Sequence, residues 1–186
     1  MKRNNFISRE ILDKSVVVFG CGNILFGDDG FGPAVAQYLL EHYVLPGDAL
    51  VLDVGTSIRE ILFDLALSEN KPGKIIIVDA VDYPDRGPGE VFEIPVEGIP
   101  ANKTADFSLH QFPTVNLLQE LKDQGRLDIT VLVAQVAELP PEVRPGLSPA
   151  ARDAVVRASQ AIAALIGARP KSEKKITGGS PCTNFP

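Results

Sequence analysis

The sequence predicts an α/β fold in which a mostly parallel sheet lies between two helical layers. Three observations lead there. Four short apolar runs rich in β-branched residues recur along the chain without strict alternation, which is how strands buried on both faces read. Stretches with helical spacing lie between these runs, and strands alternating with helices build this architecture. The chain has 186 residues, 45% of them hydrophobic and 23% charged, which is the size and composition of one globular domain.

The first strand is expected over residues 15–20, SVVVFG, ending in glycine. The first helix follows over Phe31 to Tyr43, with Pro33 tolerated in its opening turn. A second strand spans Leu50 to Val54. The second helix, Ser57 to Leu67, carries an S-x-x-E capping box at Ser57 and Glu60, with Ile58, Ile61, Leu62 and Leu65 on one face. The third strand is Lys74 to Ala80. Glu90 to Ile94 alternates and is shorter, so it is expected at a sheet edge, giving five strands in all. A third helix runs from about Phe112 to Asp123, followed by a strand over Ile129 to Val136. The last helix covers Pro149 to Ile166, with Ser148 as N-cap, Pro149 at its first position and Gly167 as the C-cap signal. The segment Asp82 to Asp106 holds Pro84, Pro88, Pro95 and Pro100 and reads as a long excursion carrying the edge strand. A single domain is therefore expected over residues 1–167, with a disordered tail over 168–186.

Charge and composition exclude several function classes. With 24 acids against 18 bases the formal charge is −6, which argues against nucleic acid as a partner. The one basic run, Arg169, Lys171, Lys174 and Lys175, reads as a solvated tail. No apolar stretch approaches the roughly 20 residues that cross a bilayer, so no membrane insertion is expected. The N-terminus lacks the apolar segment of a secretory signal, and two cysteines make no disulfide framework, so a cytoplasmic protein is expected. A monomer is the expected state. The only histidines are His42 and His110, so any metal site must lean on carboxylates.

In open α/β sheets, ligands bind beyond the carboxyl ends of the strands. The loop from Gly20 to Gly32 lies there but is a poor dinucleotide fingerprint, because Leu25 stands where the third glycine belongs. No phosphate-binding G-x-x-x-x-G-K-[ST] loop, H-E-x-x-H helix or G-x-S-x-G elbow is present. Cys21 could be a thiol at a helix N-terminus, but a small residue packed in a tight turn explains it better. Asp29, Asp79 and His110 come from three separate segments on the same sheet edge. Three N/O ligands with open positions suit a divalent transition metal, without separating nickel from zinc. Plainer readings stay open: Asp28 or Asp29 capping the first helix, Asp79 closing a strand, and His110 without a role.

The stretch VVVFGCGNILFGDDGFGPAVA resembles the N-terminal signature of hydrogenase maturation endopeptidases, which trim the C-terminus of [NiFe]-hydrogenase large subunits. Its motif G-x-G-N-x-L-x-x-D-[DE]-G-x-G is met at Gly20, Gly22, Asn23, Leu25, Asp28, Asp29, Gly30 and Gly32. LDVGTS around Asp53, IIIVDAVD around Asp79, FSLHQFPTVNLL around His110 and the closing VAQVAELPPEVRPGLSPAARDAV are similar in order and spacing. The resemblance covers about residues 15 to 166. It implies a three-layer αβα sandwich with a twisted, mainly parallel sheet. It also implies a metal-binding and catalytic triad of Asp29, Asp79 and His110, with substrate recognition by Asp53, Gly55 and Thr56. The implied partner is a large-subunit precursor already loaded with nickel, and zinc or cadmium could occupy the same site. Asp28 and Asp82 are candidate general bases by their proximity in sequence. A non-catalytic factor that senses nickel and holds the precursor is the alternative. The general look of the motifs is closest to the type paired with archaeal deazaflavin-reducing hydrogenases.

Overall fold

The computed structural model describes residues 9–96, 115–123 and 127–172. In chain order its elements are α1 (Arg9–Leu12), β1 (Val16–Cys21), a 3₁₀ turn (Gly27–Gly30), α2 (Phe31–His42), β2 (Tyr43–Val44), β3 (Ala49–Gly55) and α3 (Ile58–Leu67). Then come β4 (Lys74–Val81), β5 (Val91–Ile94), α4 (Val115–Asp123), β6 (Asp128–Gln135), α5 (Pro149–Ile166) and β7 (Arg169–Pro170). Five strands form one sheet in the order β3-β1-β4-β6-β5. The first four are parallel, and β5 closes one edge by antiparallel pairing with β6.

The sheet is buried on both faces, which is why its strands read as continuous apolar runs. Side chains alternate across a pleat. Val17, Phe19, Ile75, Ile77, Val131 and Val133 therefore enter one core with Leu62 and Leu65 of α3 and Leu118 and Leu121 of α4. Val18, Ile76, Val78, Leu132 and Ala134 enter the other, against Phe31, Val35 and Leu39 of α2 and Ala158 and Ile162 of α5. The architecture is the expected α/β layering. No helix among the described residues is long and apolar enough to cross a membrane.

Local chemistry sets the boundaries. Ser148 caps α5 by accepting a hydrogen bond from the Ala151 amide at 3.2 Å, Pro149 opens the helix, and Gly167 ends it with φ +70°. Ile58, Ile61, Leu62 and Leu65 are the buried face of α3, as the spacing predicted. The capping box at Ser57 does not form. Ser57 has φ −93° and ψ 12° and makes no side-chain cap, whereas a capping hydroxyl needs an extended backbone to reach the first turn. The entry is held by the backbone instead, with the Ser57 amide donating to Val54 O at 2.9 Å. The helix expected from Phe112 is described from Val115 onward.

Two features have no counterpart in the sequence reading. One is the single helical turn α1, which buries Ile11. The other is the ribbon in which Tyr43–Val44 pairs with Arg169–Pro170, extended by Lys171, whose amide donates to His42 O at 2.8 Å and whose Nζ donates to Leu40 O at 2.6 Å. Pairs two residues long carry no periodicity to read. The start of the expected tail is thus tied to the end of α2, and residues 173–186 lie outside the described ones.

Two glycines of the first loop are required by close approach. A Cβ on Gly32 would lie 2.2 Å from Cys21 O and 2.4 Å from Val78 O, so its absence lets α2 start directly over β1 and β4. Gly22 has φ +127°, and a Cβ there would lie 1.9 Å from Asp29 O. Gly22→Val should therefore destabilise the fold by at least about 2 kcal/mol, through backbone strain and collision with the turn. Thermal unfolding checks this, and a midpoint equal to wild type would contradict it.

Candidate active site

The carboxyl ends of β1, β3 and β4 meet at one edge of the sheet, and the 3₁₀ turn folds back over them. Asp79 lies inside β4, two residues before its end, so it does not close the strand with a turn. It is 3% exposed, and its Oδ1 accepts a hydrogen bond from the Ala80 amide at 2.8 Å. Asp29 sits in the 3₁₀ turn and is 2% exposed, with Oδ2 accepting from the Asn23 amide at 2.9 Å. Neither Asp28 nor Asp29 caps α2, whose N-cap is Gly30 without a side-chain bond.

The two buried carboxyls feel each other. Burial, opposed in part by the Ala80 amide and reinforced by the charge of Asp29, pushes Asp79 up to about 8. A carboxyl in that condition holds a proton near neutral pH. Cys21, the last residue of β1, faces the same region. Its thiol is pushed well up by burial and then by the carboxylates of Asp79 and Asp53. It is a buried thiol rather than a nucleophilic thiolate; it is packed, as expected, but in the last position of β1 rather than in a turn.

Asp53 is exposed near the end of β3 and accepts from the Gly55 amide at 2.9 Å. Gly55 takes φ +50°, and its carbonyl accepts from the Gly22 amide at 3.0 Å, which ties this loop to the exit of β1. Thr56 stands exposed beside them. Asp29, Asp79, Asp53, Gly55 and Thr56 thus share one sheet edge. His110 lies outside the described residues. Among the described residues no group of three His, Cys, Asp or Glu side chains gathers for a metal ion. What is present is a buried pair of carboxyls, an oxygen donor set that suits a divalent cation and needs at least one further ligand. A cavity of about 540 Å³ opens beside the turn, lined by Ile24, Pro33, Leu40, Glu41, Asp53 and Leu147 among others.

The two candidate bases have other partners. Asp28 is 1% exposed, and its carboxylate accepts from the amides of Ala137 (2.8 Å), Glu138 (3.2 Å) and Ser148 (2.7 Å) and from Ser148 Oγ (2.9 Å). With both oxygens engaged by backbone, it is a structural clamp and no general base. Asp82 Oδ1 accepts from Gln135 Nε2 at 2.9 Å, while Gln135 Oε1 accepts from the Tyr83 amide at 2.8 Å. Gln135 and Ser148 were not singled out as site residues by sequence reasoning. Ser148 was legible as a helix cap, but nothing in the sequence joins it to an acid 120 positions earlier.

Comparison with known proteins identifies the family. The family model HycI, hydrogenase maturation protease, matches residues 33–165. The chain belongs to the hydrogenase maturation protease family. Among curated relatives it is 36% identical to the coenzyme F420 hydrogenase subunit delta of Methanothermobacter thermautotrophicus, covering 83% of this chain and 96% of the relative. It is 30% identical to the hydrogenase 2 maturation protease of Escherichia coli, covering 81% and 90%. The solved structure of the hydrogenase maturating endopeptidase HybD from E. coli superposes with a TM-score of 0.65 at 29% identity, covering 84% of this chain and 98% of that one. The protein is accordingly an endopeptidase of hydrogenase maturation, and the α/β fold expected from the residues is the fold of that family.

The buried pair makes stability depend on pH in a defined direction. Asp79 keeps its proton in the folded state up to about 8, while the unfolded chain loses it in the ordinary carboxylate range. The folded state therefore binds more protons across that window, and stability falls as pH rises through it. Asp79→Asn abolishes this contribution. In chelator, the variant's thermal midpoint should gain on that of wild type as pH goes from about 5 to about 8. A constant difference across that range would contradict the assignment.

Proposed function

We propose that this maturation protease removes the C-terminal extension of a nickel-loaded [NiFe]-hydrogenase large-subunit precursor. The precursor's nickel is the recognition signal, and Asp29, Asp79 and His110 are the residues that meet it. The observation that carries the reading is the buried pair of Asp29 and Asp79, with Asp79 raised to about 8. Two buried carboxyls within each other's electrostatic reach favour either a retained proton or a bound cation. A carboxyl poised near neutrality is also suited to take a proton from water and return it to a leaving amine. When bound, a divalent metal would supply polarisation of the scissile carbonyl. Zinc or cadmium would satisfy the same donor set.

Asp53, Gly55 and Thr56 form the rim that faces the incoming chain. Asp53 also lines the open cavity, so a peptide laid beside the turn passes within reach of it. The 36% identity to a coenzyme F420 hydrogenase subunit supports the large subunit of a deazaflavin-reducing hydrogenase as the precursor served. On this reading the protein works as a monomer in the cytoplasm, where the precursor is assembled.

The test is intact-mass analysis of the host's own large-subunit precursor, nickel-loaded and nickel-free, mixed with the protease. Loss of a short C-terminal peptide from the loaded form alone is the expected result. Asp79→Ala and His110→Ala should each slow processing by at least about 100-fold while leaving the far-ultraviolet circular dichroism unchanged. Cleavage of both precursor forms would remove nickel as the signal. A stable complex with no change in mass would overturn the proteolytic reading for this chain.

A further inference from the structure

The turn that carries Asp29 has little to hold it in place by itself. It is four residues long, bounded by Gly27 and Gly30, and a single 3₁₀ turn of that length has no cooperative stability. Its position is set from outside. The Gly27 amide donates to Arg144 O at 2.9 Å, and the Asp28 amide donates to Glu138 O at 3.2 Å. The four hydrogen bonds into the Asp28 carboxylate then lock the turn to the end of β6 and to the N-cap of α5. Asp29 is the next residue. Its side chain reaches the Asn23 amide, and its charge reaches Asp79.

We infer that Asp28 is the positioning residue of this site: its carboxylate fixes where the Asp29 carboxylate stands relative to Asp79. The inference rests on the reading that Asp29 and Asp79 are the working pair. Every group facing Asp28 in that clamp is a donor. An amide side chain would turn its own NH₂ toward at least one of them, so Asp28→Asn breaks the clamp at nearly constant volume. The effect on Asp29 follows by adjacency, because a turn without the clamp can shift as a unit. A misplacement of about 1 Å in a catalytic group can lower turnover by up to about 100-fold.

Turnover kinetics and hydrogen exchange on a small set of variants test this. Asp28→Asn should lower kcat on nickel-loaded precursor by at least about tenfold with KM unchanged. It should also speed hydrogen exchange of the Asn23 amide, which donates to both Oδ2 and the backbone carbonyl of Asp29, by at least about tenfold. Ser148→Ala removes one of the four donors and leaves three, so it should fold and lower kcat by about threefold. It decides the matter if Asp28→Asn does not fold. Gly167→Ala is the control. It strains the far end of α5, where φ is +70° and a methyl group meets nothing within 4 Å. It should lower the thermal midpoint while leaving kcat and Asn23 exchange at wild-type values. Wild-type kcat and Asn23 exchange in both Asp28→Asn and Ser148→Ala would overturn the positioning role. So would an equal loss of kcat in Gly167→Ala. If Asp79→Ala also processed precursor at the wild-type rate, the reading of the site itself would be what fails.

Discussion

Much of this site depends on the hydrogen bonds that converge on the carboxylate of Asp28. They join the turn after β1 to both ends of a connection more than a hundred residues away, the exit of β6 and the start of α5. The buried member is the carboxylate itself, and each donor is a backbone amide or a capping hydroxyl at a partly buried strand exit or helix entry. One side chain therefore satisfies the exit of a strand and the entry of a helix together. Ser148 is shared: its hydroxyl donates to Asp28 and accepts from Ala151. The same serine thus caps α5 and anchors the turn. The clamp forms only where the parallel sheet sets β1 and β6 on either side of β4, so it depends on the whole order of the sheet.

Asp28 and Asp29 are adjacent and both buried, yet their surroundings differ. Asp28 is surrounded by donors. Asp29 accepts from the Asn23 amide, and its charge adds to the burial that is the largest influence on the proton affinity of a second carboxyl, Asp79. Placing two acids together out of water is unfavourable unless one is protonated or a cation lies between them. That unfavourable arrangement is held because the surrounding structure is fixed independently: Asp79 by the ladder to Val133 of β6, Asp29 by the turn. Residues kept in poor electrostatic company by a well-satisfied frame are what a functional site is expected to contain.

The frame was largely legible in the sequence, and the clamp was not. The runs VVVF, KIIIVDA and ITVLVAQV announce strands because burial on both faces demands apolar residues at every position. Ser148, Pro149 and Gly167 announce the ends of α5 because cap chemistry is local. Ser57 with Glu60 looked the same, yet the backbone at Ser57 turns into the helix with ψ 12°, a choice made by the sheet edge rather than by the tetrapeptide. Asp29 and Asp79 could be placed at one edge from the rule that strands deliver their ligands at their carboxyl ends. Asp28 could not be told from a general base, because both readings call for an acid beside the site. The difference lies in partners more than a hundred residues away, and pairings over that distance leave no periodicity to read.

The division between Asp28 and Asp29 also explains how a glycine-rich loop can serve a demanding site. Gly22 and Gly32 are needed so that the backbone can pass close to Asp29 and to Val78. Glycine brings that freedom at the expense of order, since it restricts the chain less than any other residue. Bonds to Asn23 and Phe26 hold Asp29 within the loop, but they do not fix the loop against the rest of the fold. The acid immediately before Asp29 does so, through bonds to segments already ordered by the two cores. The loop can then combine tight backbone approach with a fixed carboxylate. On the proposed reading, that combination lets a buried pair of acids exchange a proton for a cation without the turn itself having to refold.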